Sequence, residues 1–193
     1  MGEAIARLEG NLIRKSNIMH ALGARGVSII QKRISSGKFA PDSPLTRAVK
    51  GGDKVLRDRG QLYSGIAFRV EGDTIIIGTN HPAAKILHLG GTIRPKNAKY
   101  LALPAGAKTR TLMRQYGLTP RACIEGMKAD GYSVWFNFAR GGANIMARKG
   151  KKGQLFLLFI LKRSVTLPAR PFMSLGEDGK EQLLKTFREE MMR

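Results

Sequence analysis

The residue types best suited to metal binding and nucleophilic attack are few in this chain: three histidines, His20, His81 and His88, and one cysteine, Cys123. A zinc site needs three or four ligands brought together, and a reactive thiol needs a base or a positive field beside it. The histidines are dispersed, only His81 and His88 could approach each other across a short helix, and nothing marks a base for Cys123. Packing roles are expected for all four. The sequence contains no GxxxxGKS/T phosphate loop, no GxGxxG turn, no HExxH helix and no paired cysteines. Two-metal phosphoryl transfer requires clustered carboxylates, yet between Thr74 and Gly176 only Glu125 and Asp130 stand against 17 Lys and Arg. No catalytic residue, metal or cofactor is expected, and a metal-dependent nuclease is the least favoured class.

The charge itself is the strongest compositional signal. The 193 residues include 34 Lys and Arg and 14 Asp and Glu, a net charge of +20. The surplus is +15 over residues 74–176, +6 over 1–73 and −1 over 177–193. Clustered cations bind phosphate backbones or acidic protein surfaces, although a solvated basic loop carries the same signature. Arg94, Lys96, Lys99, Lys149, Lys151 and Lys152 are therefore candidate contacts to a polyanion or a neighbouring subunit. Tyr132, Trp135, Phe136 and Phe138 lie near Arg140 in sequence, but their alternation suits a sheet core better than a base-stacking platform. No helix-turn-helix or RNA-binding signature is present.

Composition excludes several classes. With 42% hydrophobic and 25% charged residues the chain is an ordinary globular one rather than a disordered one. A single cysteine precludes an intrachain disulfide and suits a reducing compartment. The longest apolar run, Leu155 to Leu161, is far short of the roughly 20 residues of a membrane span. The first residues lack the apolar region of a secretory signal, and Ala6 stands where a myristoylation motif has Ser or Thr.

The elements that must carry these residues follow from periodicity. Ile5, Leu8 and Leu12, then Met19, Leu22, Ile29, Ile30 and Ile34, recur at helical spacing. Ser16-Asn17, Gly23 and Gly26 predict a break, with a helix from about 18 to 36 and a looser one before it. FAPDSPLTRAVKGGDK reads as loop, Asp58 as the cap of a short helix over 59–65, and residues 66–78 as a β-hairpin turning at Glu71-Gly72-Asp73. Asn80 is expected to cap a helix over 82–89 that Gly90 and Gly91 stop. Tyr100 to Leu103 is a strand closed by Pro104, and 105–131 a long basic loop. Strands follow over 132–138, 143–148 and 155–161, the last two flanking KGKKGQ. LFLLFIL is apolar enough to be buried on both faces, within the fold or against another subunit. A final helix from about Asp178 carries Leu183, Leu184, Phe187 and Met191 as its stripe. The expected architecture is α+β: a mainly antiparallel twisted sheet, helices at both ends, and one domain over 1–193 with 105–153 as a basic loop and hairpin elaboration.

Five stretches in order carry a resemblance. They are FAPDSPLT-x-AVKGG, VLRDRGQLYSGI, IIIGTN, HLGGTI followed by RPKNAKYLALP, and VTLPARPFMSLGEDGKEQLL. From about residue 20 onwards the chain resembles the virion morphogenesis, or tail completion, proteins of tailed bacteriophages. The resemblance implies a structural protein without a reaction, joining tail to DNA-filled head as a ring of subunits. Its implied partners are other copies of itself, portal or head-completion proteins, tail proteins and, nonspecifically, packaged DNA. The implied location is the virion head-tail junction after assembly in the bacterial cytoplasm. Asp58, Gly60 and Leu62 match the family's cap, turn and anchor, while Arg59 and Gly65 stand where the family usually has Thr and Ser. His88, Gly90 and Gly91 match its His-x-x-Gly-Gly pattern in approximate register. In LPARPF, Pro168 and Pro171 fix an extended entry to the last helix and Arg170 is held for an ion pair or an intersubunit carboxylate. The resemblance also suggests intersubunit or portal-side contacts for residues 132–162. The alternative is a small basic nucleic-acid-binding protein.

Overall fold

Gly23 and Gly26, one helical turn apart, set how the first part of the chain packs. The structure, a computed structural model, describes residues 2–139 and 142–192. A single helix, α1 (Gly2–Ser36), runs through Ser16-Asn17 and both glycines without the expected break. Against it lies an antiparallel hairpin, β1 (Ile66–Glu71) and β2 (Thr74–Thr79), in which Phe68 faces Ile77. A Cβ at Gly23 would fall 2.1 Å from the Phe68 ring, and one at Gly26 2.3 Å from Ile77 Cδ1. The glycines thus admit that cross-strand pair to the helix backbone. Each costs about 1 kcal/mol of helix propensity, which the close packing offsets. Met1, Arg140, Gly141 and Arg193 lie outside the described residues, and Ile5 and Leu8 fall where side chains are not described.

The chain divides into two compact units. The first takes the described residues up to Ala40, Lys54–Gly90 and those from Ala169 onwards. Besides α1 and the hairpin it holds α3 (Gln61–Ser64), α4 (Ala84–Leu89) and α7 (Gly176–Met191). Its core gathers Ile30, Ile34, Leu62, Ile66 and Phe172. The cap positions differ from expectation. Gly60 (φ 81°), not Asp58, occupies the N-cap of α3, because only the left-handed conformation turns the chain into so short a helix there. At α4 the N-cap is Ala83 rather than Asn80, and His81 organises the turn: its carbonyl accepts from Ala84 N and its Nδ1 from Ala83 N. Gly90 ends α4 at φ 71° and ψ −173°, a conformation essentially confined to glycine.

The second unit takes Pro41–Asp53 and Gly91–Pro168. The stretch expected to be loop contains α2 (Pro44–Lys50), punctuated rather than prevented by its prolines and glycines. Ser43 caps it by accepting from Thr46 N, Pro44 opens it, and Gly51 closes it at φ 75°. A largely buried ion pair, Lys50 to Asp42 at 2.5 Å, ties its end to its entry. Two strands, β3 (Gly91–Ile93) and β8 (Val165–Leu167), form an antiparallel ribbon. The main sheet is antiparallel in the order β4 (Leu101–Pro104), β7 (Phe156–Lys162), β6 (Gly142–Lys149), β5 (Tyr132–Ala139). The α+β class and the antiparallel pairing match the sequence reading, with the strands distributed over three sheets.

Residues 105–131 form two helices, not a loop: α5 (Ala107–Tyr116) and α6 (Pro120–Ala129). Thr119 caps α6 by accepting from Ala122 N, with Pro120 in its first turn. Cys123 and Met127, four residues apart, are fully buried with Leu112 of α5 against Ile145, Ala147, Leu158, Phe159 and Leu161 of the sheet. The expected elaboration is therefore part of this unit's core. The register shift between Ile145 and Met146 leaves Leu158 as the extra residue of a β-bulge, so Leu158, Phe159 and Leu161 are buried in the same cluster with Cys123 and Met127, while Leu157 and Ile160 on the other face of β7 are half-buried.

Candidate functional site

Some residues from each of the five stretches meet in one place in the first unit, while residues 41–52, 91–104 and 165–168 of those stretches belong to the second. Phe172 is fully buried beside Leu62 and Ile66, with Phe39, Ile77, Leu87 and Met173 packed around them. Its ring meets His88 edge to face at 5.3 Å. Arg170, 3% exposed, donates from Nε to the Ala40 carbonyl at 2.8 Å, and its backbone N–H bonds the Leu87 and His88 carbonyls at 3.1 Å. His88 Nδ1 accepts from Met173 N at 3.4 Å, and Arg33 Nε donates to the Pro171 carbonyl at 3.2 Å. These bonds satisfy the Ala40 carbonyl, which lies outside regular structure, and the Leu87 and His88 carbonyls at the end of α4, where no further helical turn supplies donors. Arg170 thus ties the Ala40 segment to the end of α4. Gly60 and Gly90 stand at helix ends, Leu62 in the core, Gly91 at the exposed start of β3 opposite Leu167, and Pro168 follows β8.

The histidines are committed to packing and turns. His20 meets Phe68 edge to face at 5.9 Å and hydrogen-bonds the Ser16 carbonyl through Nδ1. Among the described residues no group of three His, Cys, Asp or Glu is placed to hold a metal. Cys123 is fully buried, and burial pushes its thiol pKa up, away from the thiolate a nucleophile needs.

The six candidate cations all lie exposed in the second unit. Arg94, Lys96 and Lys99 fall between β3 and β4, and Lys149, Lys151 and Lys152 at the β6–β7 turn. The unit has 17 Lys and Arg against four Asp and Glu. Lys149 is engaged: its Nζ lies 3.0 Å from Asp130 Oδ2, which also accepts from the Tyr116 hydroxyl at 2.5 Å. The Tyr116 hydrogen bond, then that of Lys149, holds Asp130 below the usual carboxylate range, and Asp130 raises Lys149 in return. The same hydrogen bond, which favours the neutral phenol, pushes Tyr116 up to about 12.

The signs follow. The Asp130 contribution to stability is present above the ordinary carboxylate pKa and is lost as pH falls through its lowered value, while the Tyr116 contribution is present below about pH 10 and is lost as pH rises through about 12. Ultraviolet difference titration of the wild type against Tyr116→Phe should show a phenolate forming near pH 12. Asp130→Asn should return that midpoint towards roughly 10; an unchanged midpoint contradicts the assignment.

Sequence reasoning missed the exposed aromatics. Expected in a sheet core, Phe136 and Phe138 are instead 61% and 69% exposed, with parallel rings 6.1 Å apart. They stand on β5, the edge strand, whose pairing with β6 is regular throughout. The signal was their order in the chain: the strand follows a helix and pairs only with the next strand. Phe136 also lines an open groove of about 490 Å³ beside α6. No family model, curated protein or solved structure matches the chain.

Proposed function

We propose that this chain is a non-enzymatic structural protein of tailed-bacteriophage assembly, completing the tail and joining it to the DNA-filled head as a ring-forming neck component. The observation that carries the reading is the convergence around Phe172. All five stretches that resemble tail completion proteins contribute side chains or backbone groups to one cluster: Phe39 and Ala40, Leu62 and Ile66, Ile77, His88, and Arg170 with Phe172. Their meeting in one core supports reading the five stretches as parts of one structural unit. The basic second unit then faces packaged DNA or an acidic protein ring, with portal, head-completion and tail proteins as the other partners. The junction is built in the host cytoplasm.

A second reading, a small basic nucleic-acid-binding protein, draws on the exposed Phe136 and Phe138 in the basic unit. Light scattering after size exclusion, combined with a salt-titrated DNA shift, separates the two. The assembly reading expects oligomers, with weak DNA binding that is insensitive to sequence and falls steeply with salt. A monomer that binds one nucleic acid tightly and selectively would replace it with the second.

A further inference from the structure

The groove beside α6 has an apolar floor and a cationic rim. Ala102, Phe136, Ile145 and Leu161 of the main sheet form the floor and Ile124 of α6 a wall. Lys99, Arg121 and Lys128 stand at its edges, with Glu125 held by Arg121 at 2.9 Å. Such a surface fits an occupant that is apolar along one stripe and acidic beside it.

The chain contains that occupant. Along α7, Leu184, Phe187 and Met191 recur at helical spacing and are 55%, 42% and 48% exposed, although the sequence pattern marks them as the buried stripe. The face that packs on α1 is another one: a Cβ at Gly179 would lie 3.0 Å from Ile29 Cγ2. Glu177 and Glu181 flank this stripe together with Lys180 and Arg188, Glu177 lies 2.7 Å from Lys180, and the helix as a whole has five Asp and Glu against three Lys and Arg in a chain whose net charge is +20. Three apolar anchors at i, i+3 and i+7 are the pattern by which a helix enters a groove. Pairing groove with groove would instead bring together two strongly cationic units, at an electrostatic cost.

We propose that α7 of one copy docks its Leu184, Phe187 and Met191 stripe into the second-unit groove of the next copy, with Glu177 and Glu181 beside the stripe meeting Lys99 and Lys128. The two surfaces differ, so the contact is head-to-tail, the type that propagates to a ring when the rotation closes. It supplies the self-assembly that the proposed function rests on.

The test uses full-length chains in sedimentation equilibrium. One variant reverses the rim, Lys99→Glu with Lys128→Glu; the other removes the stripe, Leu184→Ser with Phe187→Ser. All four positions are exposed, and circular dichroism checks that both variants fold. The wild type should self-associate, each variant should associate at least tenfold more weakly, and an equimolar mixture should form a one-to-one dimer through the intact groove of one and the intact helix of the other. A monomeric wild type, undiminished association in either variant, or a mixture that stays monomeric would each overturn the contact. Binding of a single-stranded oligonucleotide that is lost on rim reversal, with the wild type monomeric, would assign the groove to nucleic acid instead. None of these failures decides the head-tail role, which particle morphology tests separately.

Discussion

Phe172→Ala is expected to lower the free energy of unfolding by about 3–5 kcal/mol, read as a fall in the urea midpoint at unchanged slope. The ring is fully buried at the point where Leu62, Ile66, Phe39 and Met173 meet. Its removal costs the transfer free energy of the side chain and leaves a cavity that the surrounding segments can fill only in part. Those segments come from distant parts of the sequence and are held to one another by the Arg170, His88 and Pro171 bonds. Relaxation into the cavity would break these bonds, so the cost should fall in the upper part of the range. At about 2–4 °C per kcal/mol for a chain of this size, the melting temperature should drop by roughly 10 °C. A loss below 1 kcal/mol would mean that the cluster is not a core.

The second large effect is expected from Phe159→Ala in the other unit, again about 3–5 kcal/mol. Phe159 is fully buried on the central strand β7, beside Leu112, Cys123 and Met127 from the two helices. Cys123 provides a local readout. In the wild type its buried thiol should react with a thiol reagent only through opening of the structure, whereas in Phe159→Ala the open population rises and the reaction should accelerate at least tenfold. Unchanged reactivity would show that Phe159 does not hold the helices to the sheet.

Much of the fold was legible because local chemistry and tertiary packing agree. The β1–β2 hairpin could be read from its β-branched residues and Gly72, which takes φ 58° at the first position of a two-residue turn. LFLLFIL announced a strand and became an inner strand of the main sheet, but a bulge at Leu158 gathers its fully buried residues on one face and leaves Leu157 and Ile160 half-buried on the other. The failures arise where a residue serves packing in place of its usual local role. Gly23 and Gly26 resemble helix breakers, yet they mark where Phe68 and Ile77 approach the helix backbone. The 105–131 helices were hidden because few apolar residues, chiefly Leu112, Cys123 and Met127, are buried between cations, although Thr119-Pro120 was a readable start signal.

The candidate site was legible in part. The sequence marked Arg170 and the flanking prolines, but its partners, the Ala40 carbonyl and the backbone at Leu87 and His88, lie 80 or more residues away and carry no side-chain signature. The basic residues could be counted from the sequence, whereas the engagement of Lys149 by Asp130 depends on a turn of α6 meeting the end of β6. Periodicity identified the stripe on α7 correctly as apolar. It could not tell that Gly179 and its neighbours, not Leu184 and Phe187, take the intramolecular face.

The central claim is that the chain joins heads to tails, and electron microscopy of particles produced by a phage lacking it tests this most directly. The account predicts DNA-filled heads and finished tails lying separate, which join when the purified protein is added back. Intact, infectious virions formed without the protein, or empty heads with a packaging defect, would contradict it.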